Sequence, residues 1–264
     1  MANSPNSEKV VPYVLLGMTV VTGLVDAVSF LSLGRVFTAN MTGNVVLLAF
    51  ATARVPGLSI ARSLTALLTF LIGAIVGGRV MAPATADSQT RLAARVFLLE
   101  ATLLCAASFC SIGYRGNLLE GNFQPFALIT LTALAMGTRN AAVRKLAIPD
   151  LTTTVLTLTI TGIGADSSVA AGKNPRLARR VGSVAAMFLG AALGAVILRY
   201  SISAAMWLAT AISALCSIVL IRSLDTSGPV SAGPERCALP DQSSLECGCD
   251  CGCTLLNTTN ISSI

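Results

Sequence analysis

Apolar residues run through this chain in long blocks, and the polar residues collect between the blocks rather than alternating within them. The first block, Val11 to Leu33, holds 23 residues, enough to cross roughly 30 Å of hydrocarbon at about 1.5 Å per helical residue. Gly34-Arg35 interrupts it. Phe37 to Ala53 follows, only 17 residues long, and it opens on the polar string Thr38-Ala-Asn40-Met-Thr42-Gly43-Asn44. After the turn signal Arg54-Val-Pro56-Gly57, the blocks Ile60 to Val80 and Leu92 to Ile112 are again full length. The second half repeats the order: Phe123 to Val143 is long, Leu151 to Ala165 is short and opens on Thr152-Thr153-Thr154, and Val181 to Leu198 and Ser201 to Ile221 are long. The pattern predicts an all-α, polytopic membrane helix bundle of six spans plus two short re-entrant or broken helices.

Polar segments mark the domain limits. Residues 1–10 lack the basic start and small-residue cleavage site of a secretory signal, so they read as a polar N-terminal segment. Residues 11–222 form the membrane domain, and 223–264 a polar, cysteine-rich tail. Within the membrane domain, residues 11–114 and 123–222 read as two repeats. Met41-Thr-Gly-Asn-Val45 lies over Leu151-Thr-Thr-Thr-Val155, Asp26-Ala27 over Asn140-Ala141, and Arg62, Gly73 and Gly77 over Arg179, Gly190 and Gly194.

Cationic residues choose between topologies, because arginine and lysine accumulate on the cytoplasmic side. With eight crossings the two sides carry ten and seven of them. If the two short segments dip in and return, the sides carry twelve and five, with Arg139 counted on neither because it lies inside a block. The second arrangement has the clear bias and puts both termini in the cytoplasm. Three spans per half is an odd number, so the halves would be inverted relative to each other. Inverted repeats with paired short helices point to a transporter site near the midplane.

Composition narrows the field further. The chain has 264 residues, 54% apolar and 11% charged, with a net charge of +6 and no histidine. Soluble domains are roughly 25% charged, so a water-facing globule is excluded, and disorder needs low hydrophobicity. Without histidine there is no Ser-His-Asp triad, no histidine-ligated zinc and no imidazole proton relay, and the sequence calls for no enzyme and no cofactor. Lys9, Lys145 and Lys173 are the only lysines. The positive charge therefore reads as loop arginines facing a bilayer, not as a nucleic-acid surface.

Against this sparse background three charged residues fall inside apolar blocks: Asp26, Glu100 and Arg139. A centrally placed aspartate costs roughly 2.5–3.5 kcal/mol on insertion scales, so it should face protein or a wet cavity. Thr19, Thr22, Asp26 and Ser29 share one helical stripe. Arg139 would pair with Asp26 or an anionic solute, or else reach the surface beside Arg144. Glu100 would partner Arg95 or Arg139, or carry a proton. Asn40, Thr42 and Asn44, with Thr153 opposite, offer neutral oxygens and amides at helix starts, where they bind a solute or cap the helix. In the tail, Cys247, Cys249, Cys251 and Cys253 have a spacing that suits a soft metal ion, though no Cys-x-x-Cys pair makes it a standard finger.

Three strings, Asp26-Ala-Val-Ser-Phe30, Asn40-Met-Thr-Gly-Asn44 and Gly137-Thr-Arg-Asn-Ala-Ala-Val-Arg144 followed by Thr152-Thr153, resemble the YoaK-like family of multi-pass membrane proteins. The resemblance covers roughly residues 10–225. It departs where the family shows Gly-Leu-Gln-Asn and this chain reads Gly137-Thr138-Arg139-Asn140, and again at Leu156-Thr157-Leu158-Thr159, where the family tends to Thr-Gly-Thr. It implies a bacterial or fungal integral membrane protein and supplies no substrate or reaction.

Together these readings predict a small-solute transporter or permease of the inner membrane. Its site at the repeat interface is formed by Asp26, Asn40, Thr42, Asn44, Arg139, Asn140 and Thr153. Asp26 would carry a proton or bind a cation, and Arg139 would balance it or contact an anionic group. The partners expected are the lipid bilayer and a small solute. The alternative is a non-transporting membrane protein that assembles with further copies through the Gly73-x-x-x-Gly77 and Gly190-x-x-x-Gly194 faces.

Overall fold

Polar residues end hydrophobicity without ending a helix, and the first helix shows it. In a computed structural model that describes residues 5–85, 88–116, 118, 123–147, 156–173 and 176–225, helix α1 spans Pro5–Ser32 and so begins within the segment expected to be polar and separate. The other helices are α2 (Met41–Thr52), α3 (Ile60–Val80), α4 (Gln89–Cys110), α5 (Gln124–Leu146), α6 (Leu156–Ala165), α7 (Leu177–Leu198) and α8 (Ile202–Asp225), with one 3-10 turn at Ser168–Ala170. No strand occurs among the described residues. Six helices are long and apolar enough to cross a membrane, while α2 and α6 are short apolar helices. All described residues belong to one unit, Met1–Gly228. Thr153 and the tail cysteines Cys247, Cys249, Cys251 and Cys253 lie outside them.

The long helices pack across the two halves of the sequence rather than within them: α3 against α5, α1 against α7, α4 against α5, α1 against α8, and α4 against α8. Glycines allow the closest approaches. A Cβ on Gly73 or Gly77 of α3 would collide with the backbone carbonyls of Leu134 and Thr138 on α5, and one on Gly190 or Gly194 of α7 would press on those of Val20 and Leu24 on α1. Reciprocally, Gly137 meets Phe70 and Ala74, and Gly23 meets Met187 and Ala191. One constant shift in residue number carries Val20, Gly23 and Leu24 onto Leu134, Gly137 and Thr138. A second carries Phe70, Gly73, Ala74 and Gly77 onto Met187, Gly190, Ala191 and Gly194. Both small-residue faces are thus filled by helices of the same chain, so association between copies would need other surfaces.

Two apolar clusters define the two ends of the bundle. One gathers Val21, Leu24, Val28, Leu33, Leu104, Ala107, Tyr114, Leu128, Met206 and Ala209. The other gathers Val11, Leu15, Met81, Ala93, Phe97, Ala142, Val143 and Leu220. Val11 and Leu220 share a cluster, so the first and last helices have their outer ends on the same side.

At the first end, α1 stops in a left-handed turn at Gly34 (φ +91°) and Arg35 (φ 56°). Only glycine adopts the first of these without strain, and a Cβ there would also strike the Arg62 guanidinium at the start of α3. Arg35 in turn lies over Gly57, just before α3. The end of α1 and the start of α3 therefore sit together, and α2 enters and leaves from one side. On the other side, Arg180 near the start of α7 donates to the Gly162 carbonyl of α6 and pairs with Asp166 at 2.6 Å.

Candidate functional site

Residues 36–40 join α1 to α2 without helical structure. Irregular backbone at membrane depth is tolerated only where protein or a wet cavity satisfies its N–H groups, and Asp26 supplies that here. Its Oδ1 accepts from the N–H of Thr38 (3.1 Å) and of Ala39 (2.9 Å). Asp26 lies six residues before the end of α1, about 9 Å along the helix axis at 1.5 Å per residue. The chain therefore folds back into the bundle by that depth before α2 begins. Asn44 secures the same segment, its Oδ1 accepting from Phe37 N–H at 2.8 Å and its Nδ2 donating to the Phe37 carbonyl. Asn40 caps α2 by accepting from Gly43 N–H at 3.3 Å, and Phe37 stacks on Phe30 with ring centroids 4.9 Å apart.

Beside this segment lies a cavity of about 540 Å³, lined from α1 by Thr22 and Asp26, from the connecting segment and α2 by Phe37, Ala39, Asn40, Thr42, Gly43, Val46 and Leu47, from α6 by Leu156, Thr157 and Ile160, and from α7 by Met187. Asp26 is only 4% exposed, and its second oxygen, Oδ2, has no hydrogen-bond partner. Thr22 ties the cavity wall to a second charged centre. Its hydroxyl donates to the Met18 carbonyl and accepts from Arg139 at 2.6 Å.

Arg139 is fully buried between the two apolar clusters. It donates to Glu100 Oε1 at 2.9 Å, to the Met18 carbonyl at 3.1 Å and to the Met136 sulfur at 3.0 Å. Both members of the Arg139–Glu100 pair are 0% exposed. Arg139 neither reaches the surface nor pairs with Asp26; Glu100 takes its charge.

The expected site residues consequently divide. Asp26, Asn40 and Thr42 line the cavity, with Asn40 and Thr42 exposed. Asn44 is buried behind it as a backbone brace. Arg139 stands one hydrogen bond away, through Thr22. Asn140, half-buried on α5, and Thr153, outside the described residues, are not among the lining residues. The other members of the polar stripe, Thr19 and Ser29, bond back to carbonyls of their own helix.

The model of a protein family of unknown function, DUF1275, matches residues 14–219. The chain belongs to this YoaK-like family. It is 37% identical over 147 residues to the UPF0700 transmembrane protein YoaK of Bacillus subtilis (strain 168), an alignment covering 55% of this chain and 62% of that protein. The chain thus matches less than two thirds of that relative's length. No solved structure matches it. With six membrane-length helices, this YoaK-like protein is a multi-pass membrane protein.

Sequence reasoning missed Phe37, Thr157, Ile160 and Met187 as cavity residues of this YoaK-like protein. Apolar side chains on apolar helices carry no signal of their own. Thr157 alone had one, since the overlay of the two short segments sets it opposite Leu47, another lining residue.

Proposed function

We propose that this protein is a small-solute transporter or permease of the cytoplasmic membrane, built from two inverted repeats, with its site in the Asp26 cavity. The observation that carries the proposal is a buried aspartate with one carboxylate oxygen lacking a hydrogen-bond partner, among the residues that line a cavity of about 540 Å³. That volume falls in the range of small-molecule sites, roughly 300–1,000 Å³.

Several features support the inverted arrangement. The constant shifts that relate α1 to α5 and α3 to α7 also preserve their contacts, and the same shift carries Asp26 to Asn140. The short helices α2 and α6 pack on equivalent partners, α3 and α7. The end near α1's start carries Arg79, Arg91, Arg95, Arg144 and Arg222, so the positive-inside rule makes it cytoplasmic, with both termini. In this reading the protein binds and passes its solute unchanged and is no enzyme. The assembly alternative loses its basis, because Gly73, Gly77, Gly190 and Gly194 already pack inside the chain.

The test places a cysteine at Thr42 in a background freed of native cysteines and applies a charged, membrane-impermeant thiol reagent, followed by uptake assays in proteoliposomes over a panel of solutes. The expected result is labelling of Thr42→Cys and uptake of at least one solute that stops when the cysteine is modified. Complete protection together with no uptake would overturn the proposal.

A further inference from the structure

We infer that the cavity beside Asp26 binds an organic ammonium, a small apolar group carrying one positive nitrogen, and this deepens the transport reading by naming its substrate class. The charge comes first. Asp26 Oδ1 is occupied by two backbone donors, whereas Oδ2 is buried without a hydrogen-bond partner on a residue that lines the cavity. A carboxylate oxygen only accepts hydrogen bonds, and an ammonium N–H supplies both the donor and the countercharge. The one buried cation nearby, Arg139, is already paired with Glu100, and Asp26 makes no salt bridge to any described residue. No lysine or arginine is among the described residues that line the cavity.

The remaining walls select the rest of the molecule. Phe37, Ala39, Val46, Leu47, Leu156, Ile160 and Met187 present apolar surface, which holds carbon substituents and disfavours a hydrated ion. Phe37, fixed by its stack on Phe30, adds an aromatic ring to the lining, a group that attracts cations. A metal ion fits poorly. Calcium takes 6–8 oxygen ligands, whereas Asp26 is the single carboxylate among the described lining residues, accompanied by the Asn40 amide and the hydroxyls of Thr42, Thr157 and Thr22, the last already occupied by Arg139 and Met18. Among the described residues no group of three acidic or sulfur side chains could hold a metal. The volume is also far beyond what a bare ion fills.

The test titrates the purified full-length protein in detergent with benzylammonium, hexylammonium and cyclohexylammonium, and with benzyl alcohol, benzoate and calcium as contrasts, by calorimetry. At least one ammonium should bind, with benzyl alcohol and benzoate weaker by about tenfold or more, the size of a hydrogen bond to a charged group. Asp26→Asn keeps an oxygen for Thr38 and Ala39 while removing the charge, and should abolish that preference. Should Asp26→Asn fail to fold, Ile160→Trp fills the cavity from a wall that makes none of Asp26's hydrogen bonds, and should lower ammonium affinity at least tenfold. Failure of all three ammonium compounds, equal binding of benzoate, or binding of calcium in their place would overturn the inference. Ammonium binding that depends on Asp26, without uptake into proteoliposomes, would overturn the transport reading alone. Uptake of an uncharged or anionic solute that persists in Asp26→Asn would overturn the ammonium assignment alone.

Discussion

Glu100 and Asp26 are both buried acids inside membrane-length helices, and each has one oxygen in hydrogen bonds and one without. They differ in what surrounds them. Glu100 faces Arg139 at 2.9 Å, between two apolar clusters, and is not among the described residues that line the Asp26 cavity. Asp26 accepts from two backbone N–H groups, makes no salt bridge to a described residue and is among the residues that line the cavity. A charge neutralised inside the protein holds helices together, here α1, α4 and α5 through Arg139's bonds to Met18, Thr22 and Glu100. In the proposed reading, a carboxylate that lines a cavity and has no countercharge in the protein is available to a ligand.

The largest effect that would break this distinction is at the ion pair. Glu100→Ala leaves the Arg139 guanidinium buried without its countercharge, and losing one partner of a buried pair costs about 3–5 kcal/mol. Unfolding in detergent should show that loss, and Arg139→Met should show a similar one. The double variant Glu100→Leu with Arg139→Met should recover most of it, because replacing a whole buried pair with apolar groups is often neutral or better. A double variant as unstable as the singles would mean that the pair does more than hold helices.

Next in size is the close packing that sets the two halves together. A Cβ on Gly23 would meet the Met187 carbonyl and the Ala191 N–H, so Gly23→Ala must push α1 and α7 apart. Overpacking of this kind costs about 1–3 kcal/mol. Gly137→Ala, at the equivalent position on α5, should cost a comparable amount, since its Cβ would meet Phe70 and Ala74 in the same way. Unequal losses in thermal unfolding would show that the two interfaces are alike in sequence register only.

Most of the architecture was legible in the chain because hydrophobic length is a one-dimensional property. Ile60–Val80 is the same in the sequence reading and in the structure, and the long-short-long-long order is preserved in both halves. Boundaries shifted where helices continue into polar residues: α4 begins at Gln89 rather than Leu92, and α8 runs to Asp225 rather than Ile221. The site was only half legible. Charge scarcity singled out Asp26, Glu100 and Arg139, yet no periodicity could say which acid Arg139 would choose. That choice depends on α4 and α5 lying side by side, a contact between distant parts of the chain. Asn44 misled for the same reason. Its polarity suggested a ligand contact, but the fold-back of residues 36–40 uses both ends of its amide for Phe37.

Smaller effects test the Asp26 side of the comparison. Asp26→Asn retains an acceptor for the Thr38 and Ala39 N–H groups and exchanges a charge for an amide of equal size, so stability should change by less than about 1 kcal/mol. Asp26→Leu removes that acceptor and orphans two buried donors, and should cost about 1–3 kcal/mol. Equal losses in the two variants would mean that the charge of Asp26, and not its hydrogen bonds, holds the connecting segment.

The smallest expected change in stability is at the cavity mouth. Thr42 is exposed and its side chain makes no hydrogen bond to a described residue, so Thr42→Lys should alter stability by no more than about 0.5 kcal/mol. It does place a positive charge on the wall of a cavity whose described residues include no other. Two like charges about 4 Å apart in water repel by about 1 kcal/mol, and more where the surroundings are less polar. Ammonium affinity should therefore fall by about fivefold or more while benzyl alcohol is unaffected. Equal weakening of both ligands would assign the effect to lysine's bulk, and the electrostatic contrast between Asp26 and Glu100 would then say nothing about the ligand's charge.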